Sequence, residues 1–251
     1  GARVTSQTLE EAVWLIPIAW GYDMIYNLLT EEERESIENK LLRPAVEVIQ
    51  RNDAGISNWQ SWHNAAIGAA GFVLRDASMV YEAIRGGSSF EFQMENSVLE
   101  DGFWYEGAWG YHFYALDALV YLAEMAYQNG INVYSGQFKK MFDAPLLFMI
   151  PNFSVPPFND SGTVALFSQI PKYEVAYARY KDPKYLQLLT RGNRTNLYAL
   201  LYGTPIPDEV EVEPLPSTVS QLQATPFSVL ATITLHWTMV RTAAGMDTMI
   251  N

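Results

Sequence analysis

The sequence predicts a mainly helical chain: an (α/α) toroid, built as an incomplete barrel of helical hairpins, followed by the start of a β domain. Three observations carry this. Apolar residues recur at helical spacing up to about residue 203. Pro205, Pro207, Pro214, Pro216 and Pro226 then punctuate a linker. Beyond it the pattern turns to β-branched runs and alternation. The expected organisation is a toroid over 1–203, a Pro-rich linker over 204–226 and the first strands of a truncated β domain over 227–251.

Taken in order, Ala12 to Trp20 is apolar but short, and it contains Pro17. A membrane span needs roughly 20 apolar residues, so this is a buried helix. Thr30 with Glu33 three residues later is a capping box, opening a helix toward Gln50. The segment from Asn58 to Leu74 mixes small and apolar residues with Gly68 and Gly71, the mark of a helix packed closely on its neighbours. Helices are further expected over 77–85, 90–100, 106–128, 135–150, 171–180, 183–191 and 196–202. Their turns are Gly86-Gly87, Asn129-Gly130 and Lys181-Asp182-Pro183. Serial hairpins suggest a toroid or a solenoid, and the absence of a fixed repeat period favours the toroid. Strands are expected over 227–235 and 237–242. Two strands cannot stand alone, which implies a β domain mostly outside this chain.

Composition excludes several functions. With 16 basic and 28 acidic residues the net charge is −12, against a protein that binds nucleic acid by neutralising phosphates. Cysteine is absent, which removes disulfides, thiolate metal sites and a thiol nucleophile together. The three histidines, at 63, 112 and 236, form no metal-binding spacing. Aromatic residues make up 14%, including 15 Tyr and 7 Trp, an excess that suits a cleft for sugar rings.

Two segments concentrate polar and aromatic chemistry. Asp101 to Tyr114 (DGFWYEGAWGYHFY) leads from a turn into a helix. Its glycines at 107 and 110 each cost about 1 kcal/mol relative to Ala in a helix, so the segment reads either as a core-filling helix start or as the lining of a cleft. Asn58 to Asn64 (NWQSWHN) reads either as a capping Asn followed by core residues or as a cluster facing a ligand.

Together, NWQSWHNAAIGAAGFVL at 58–74 and DGFWYEGAWGYHFYAL at 101–116 resemble the heparinase II/III-like polysaccharide lyases, and are most similar to oligo-alginate lyases. The loop Pro157 to Gly162 resembles theirs too. The resemblance implies an (α/α) toroid followed by an antiparallel β-sandwich. It implies β-elimination on a uronic-acid polysaccharide or oligosaccharide, alginate-like or heparan-type. A base takes the C5 proton beside the carboxylate, the carboxylate is neutralised so that the carbanion becomes enolate-like, and an acid protonates the leaving O4. By position, Asn58 matches the carboxylate-binding Asn, with His63 and Asn64 just beyond it to share the task. Tyr111 matches the Tyr that serves as base, acid or both, with Tyr114 as the alternative in register. Trp59, Asn64, Trp104, Glu106, Tyr114 and Asn159 are expected along the substrate. His112 points away from Tyr111 and is read as structural. Relatives also use a His in a Gly/His-rich strand; His236, between Leu235 and Trp237, departs from that pattern.

Two competing readings stand beside this one. A glycoside hydrolase would use Asp101 and Glu106 as its carboxyl pair, about 6.5–9.5 Å apart for inversion. A catalytically incomplete toroid would bind carbohydrate without turnover. The expected partner is an acidic poly- or oligosaccharide, with no nucleic acid and no membrane span, and the sequence leaves the oligomeric state open. Because charges beyond about 8 Å are screened at physiological salt, local cations matter more than the total. The candidates are few, Arg75, Arg179, Arg191 and Arg194, which favours short acidic oligomers over sulfated chains. No cofactor or metal is expected in this chain; any structural metal belongs to the β domain. The resemblance implies a periplasmic or secreted protein, and the chain's ends suggest a piece of a longer one without its signal peptide.

Overall fold

The first long helix, α1 (Thr8–Ile25), buries Thr8, Glu11, Ala12, Leu15, Ile16, Ala19 and Tyr22, a three-and-four spacing that lays one face against the core. Leu15 and Ile16 are fully buried, each stabilising by about 1.5–3 kcal/mol. The computed structural model describes residues 4–150 and 152–207, together with the backbone of strands at 218–223, 233–241 and 247–250. It divides into two compact units: Gly1–Ser97 with Tyr114–Val133, and Val98–Phe113 with Tyr134–Asn251.

In the first unit the Thr30–Glu33 capping box is present and opens α2 (Glu31–Ile37). A π-turn at Glu38–Leu42 leads into α3 (Arg43–Gln50), so the helix expected toward Gln50 is one helical run with a π-bulge. The central element is α4 (Asn58–Val73), buried at Asn58 and at every position from Gln60 to Gly71. Its glycines explain the close packing. A Cβ at Gly68 would strike Leu122, and one at Gly71 would meet Met79 and Val80. Against it lie α1 and α5 (Ala77–Arg85), the latter with the bounds expected. The short α6 (Phe90–Asn96) ends four residues before Glu100, where the longer helix was expected to stop. The long α7 (Trp109–Gln128) contributes its part from Tyr114 onward to this unit, where Tyr121 packs edge-on to Trp20 and Trp62.

The second unit begins with the loop that shortens both neighbouring helices. An antiparallel bridge joins Val98 to Trp104, and Leu99 N–H donates to Phe103 O at 2.9 Å. Gly102 (φ +88°) and Gly107 (φ +71°) hold left-handed backbone that a helix cannot continue through, so α7 starts at Trp109 rather than Glu106. The unit continues with α8 (Gly136–Leu147), α9 (Ile170–Tyr180), a 3₁₀ turn at Pro183–Tyr185, α10 (Leu186–Leu189) and α11 (Leu197–Tyr202). Polar order inside it is high. Asp143 accepts from Lys139, Lys184 and Tyr185, and the buried Glu174 is gripped by both forks of Arg194 at 2.6 and 2.8 Å.

Strands also occur before the Pro-rich stretch. A two-residue antiparallel pair, β1 (Ser154–Val155) with β2 (Val164–Ala165), closes the loop between them. Downstream, β3 (Thr218–Gln223), β4 (Ile233–Arg241) and β5 (Asp247–Ile250) pair antiparallel in that order. Two expectations are corrected. Thr218–Gln223, inside the stretch read as linker, is a strand, because Val219 and Leu222 sit among polar residues of a proline-free interval. The two strands expected on either side of His236 are one, running through it in register with Ser220. The expected strand residues 227–232 and Thr242 lie outside the described residues. Among those described, no helix is long and apolar enough to cross a membrane.

Candidate active site

In the second unit the site is built from the loop at 101–108, the first turn of α7 and the loop at 156–163. Asp101 Oδ1 accepts the Phe103 N–H at 2.9 Å, setting a turn that Gly102 completes against the backbone carbonyl of Lys140. His112 locks the loop to the core. Its Nδ1 accepts the Trp104 N–H at 3.2 Å, which leaves Nε2–H to donate to Met141 O at 2.9 Å. That fixes a neutral tautomer, and burial pushes its pKa down to about 3. The ring lies flat on Phe103, inside a cluster with Trp109 and Phe113. The reading of His112 as structural agrees with this geometry.

Tyr111 emerges from that rigid base. It is 39% exposed, and its hydroxyl donates to Asp160 Oδ2 at 2.9 Å. The carboxylate accepting its proton holds the phenol above its ordinary pKa of about 10. Ser161 Oγ accepts the Gly110 N–H at 3.0 Å, one of the donors a helix start leaves open. Asn159, in left-handed backbone (φ +49°), donates to Gly107 O at 2.9 Å and Glu106 O at 3.3 Å. A pocket of about 300 Å³ opens here, lined by Ala108, Tyr111, Asp160, Ser161, Thr163 and Val164 among others. Trp104, expected at the substrate, is fully buried; it has no face for a sugar, and its indole N–H instead aims Glu106 at 2.6 Å. Glu106 is half-buried, and Tyr105 beside it is pushed up to about 12, first by burial and then by that carboxylate.

In the first unit Ser57, not Asn58, caps α4 by accepting the Gln60 N–H. Asn58 is therefore buried without being spent on the cap. It lies one turn before Trp62, whose ring packs on Tyr114 at 4.9 Å, so Asn58 and Tyr114 belong to one side of this unit. Trp59 stands 38% exposed. Asn64, also expected at the substrate, is buried and consumed: its Oδ1 accepts from Gln60 at 2.9 Å and its amide donates to Ser88 O at 2.8 Å. His63 is buried, and neither ring nitrogen has a partner at hydrogen-bonding geometry among the described residues, although the Thr8 and Asn52 carbonyls are near enough to favour its charged form. Burial dominates and lowers its pKa to about 4, so the ring is neutral at pH 7. Tyr114 is half-buried and raised, first by burial and then by Asp117. The expected residues thus divide: Asn58, Trp59, His63, Asn64 and Tyr114 in the first unit, Trp104, Glu106, Tyr111 and Asn159 in the second.

Asp160 and Ser161 were not singled out from the sequence. The Asn-Asp-Ser-Gly run that holds them marks a turn, yet the bond from Asp160 to Tyr111 spans 49 residues and has no local signature. The cations fare unevenly. Arg194 is tied to Glu174, Arg179 sits over Tyr134 and Tyr202, and Arg191 sits over Phe153.

Two buried neutral histidines make acid stability a prediction. Unfolded, each titrates near 6.5; folded, they titrate at about 3 and about 4. The unfolded chain therefore binds more protons below that value. Stability should hold above pH 6.5 and fall as pH drops toward 4, with each unit of depression worth about 1.4 kcal/mol. Urea midpoints at pH 7 and pH 5 measure this, and equal midpoints would contradict it.

A family model described as alginate lyase matches residues 13–156, more than half of the chain. The chain is 36% identical over 135 residues to an alginate lyase of Stenotrophomonas maltophilia (strain K279a), and 30% identical over 136 residues to an exo-oligoalginate lyase of Saccharophagus degradans (strain 2-40). Each match covers 51% of this chain and 18% of the relative. The chain thus spans under a fifth of the length of these curated relatives.

Proposed function

Because this chain belongs to the alginate lyase family, we propose that it cleaves an alginate-like uronic-acid polymer or oligomer by β-elimination. The observation that carries the reading is a phenol on a rigid base at a pocket mouth, held protonated by a carboxylate: Tyr111 with Asp160 at 2.9 Å. Elimination breaks the C5–H bond, forms a C4–C5 double bond and breaks the C4–O4 bond, with a proton supplied to the departing oxygen. A protonated Tyr111 suits the last step. To act as base at C5 it must first lose its proton, which the neighbouring carboxylate disfavours; Asp160 is a positioning residue that holds the phenol ready as the acid.

Asn58 and the neutral His63 are the groups proposed for the uronate carboxylate. An amide N–H and an imidazole N–H can both donate to it, and each such bond stabilises the enolate more than the ground state. Trp59, Tyr114 and Glu106 are proposed along the sugar. Asn159 is proposed to act on the substrate through the loop it clamps. The names of the two relatives support alginate over heparan-type chains as substrate, and the second supports short oligomers. With that reading go the finer expectations: kinship with heparinase II/III-like lyases, helical hairpins forming part of an (α/α) toroid, an antiparallel β-sandwich beyond them, and a periplasmic or secreted setting where polyuronates are met.

The test is ultraviolet absorbance of the unsaturated uronate, with the full chain offered polymannuronate, polyguluronate, a heparan-type chain and a neutral glucan. Absorbance should rise on the alginate-type polymers or their oligomers. Cleavage of the neutral glucan with no absorbance would overturn the proposal in favour of hydrolysis.

A further inference from the structure

We propose that a second cleft, formed within the first unit by the end of α4, by α5 and by residues 129–132, binds one carboxylated sugar of an acidic polysaccharide through Arg75, Arg85 and Tyr81. It shares no residue with the candidate catalytic set. The cleft holds about 630 Å³, ample for a sugar unit.

Charge sets its sign. The acid on its wall, Asp76, is already engaged: Arg43 donates to it at 3.0 Å, and it caps α5 by accepting from the Ser78 and Met79 N–H groups. Arg85 meets Glu91 through one edge only, at 3.2 Å, in an exposed pair of small worth. Arg75 is exposed and its guanidinium has no partner among the described residues. The Arg75 guanidinium and the part of the Arg85 guanidinium not taken by Glu91 remain on the cleft lining, and a guanidinium fork matches a carboxylate.

The backbone at Arg75 adds an independent observation. It stands just past the end of α4 with φ +53°, its N–H bonded to Phe72 O and the following N–H to Gly71 O. This is the helix-ending position where glycine is the usual residue, and a side chain there costs about 1 kcal/mol. Lys181 ends α9 in the same conformation, but its ammonium is engaged by Thr204. Arg75 bears the strain with no such partner. Tyr81 supplies what a bare anion would not need: a ring 61% exposed, standing at the cleft as a platform for the apolar face of a sugar. Asn129 spends its amide on Met125 O at 2.8 Å, which leaves its carbonyl to accept a hydroxyl.

The choice of an acidic sugar as ligand rests on the lyase reading; the cleft and its cations do not. The experiment is affinity electrophoresis of the full chain in gels holding polymannuronate or neutral dextran, for the wild type, Arg75→Gly and Tyr81→Ala. Arg75→Gly removes the charge while relieving the backbone, so its thermal midpoint should match or exceed the wild type. The wild type should be retarded by polymannuronate and not by dextran. Each variant should weaken that retardation by about tenfold or more, in line with the loss of a charged hydrogen bond or a stacking ring. Turnover of a short uronate trimer should be unchanged. Equal retardation of wild type and both variants, or retardation by dextran, would overturn the proposal. Loss of retardation in Arg75→Gly without any unsaturated product would leave this cleft standing and remove the lyase reading; unsaturated product with unaltered retardation would do the reverse.

Discussion

Tyr111→Phe lowers elimination by roughly 10²–10⁴-fold, the range of a positioned general acid or base, while substrate binding and the thermal midpoint stay near wild type. The ring and its packing survive the change; only the hydroxyl that donates to Asp160 is lost. Asp160→Asn then separates the two roles. It removes the charge that holds the phenol up, so the Tyr111 pKa falls toward its ordinary value. If the essential form is the protonated phenol, the alkaline limb of the kcat profile moves to lower pH. If it is the phenolate, the acid limb moves to lower pH and neutral activity rises. A profile that does not move would leave Asp160 outside the reaction. Should Tyr111→Phe retain activity and Tyr114→Phe lose it, the phenol is the one beside Trp62 and the assignment shifts by one helical turn.

The largest stability effect belongs to Gly102→Ala. A side chain at φ +88° is strained, and its Cβ would run into the Lys140 carbonyl, which is backbone and cannot swing aside. Strain and overpacking together should cost about 2–5 kcal/mol, read as a fall in urea midpoint. Gly130→Ala is the control: φ is +80° there too, but a Cβ meets nothing within 4 Å, so only about 1 kcal/mol is expected. Equal losses in the two variants would mean that the loop at 101–108 is not braced by α8.

What could be read in the sequence was what short-range physics decides. The Thr30–Glu33 box, the bounds of α5 and the close-packed glycines of α4 follow from spacing alone, and the structure has them. Errors arose where neighbouring residues compete for one role or where partners come from far along the chain. Asn58 is not the cap because Ser57 takes the Gln60 N–H, a one-residue competition between two good capping types. Asn64 is a donor and acceptor spent on Gln60 and on Ser88, 24 residues away. Trp104 is buried because Gly102 and His112 turn its loop inward. Asp160 had no signal at all in the composition of its loop. Thr218–Gln223 was lost among prolines, and its two apolar residues, Val219 and Leu222, stand three apart and give no alternation to mark a strand.

Cleavage in heavy-oxygen water, followed by mass spectrometry of both new ends, tests the elimination itself. Each hydrolytic cut takes one oxygen from solvent, whereas an eliminative cut takes none: O4 leaves with its own oxygen and the other end becomes the double bond. With an alginate-derived oligomer and the full chain, sampled before the reducing-end hydroxyl exchanges with solvent, both ends should carry natural oxygen and one should be unsaturated. A heavy oxygen at the new reducing end, with a saturated partner, would contradict the account and return Asp101 and Glu106 as a hydrolytic pair.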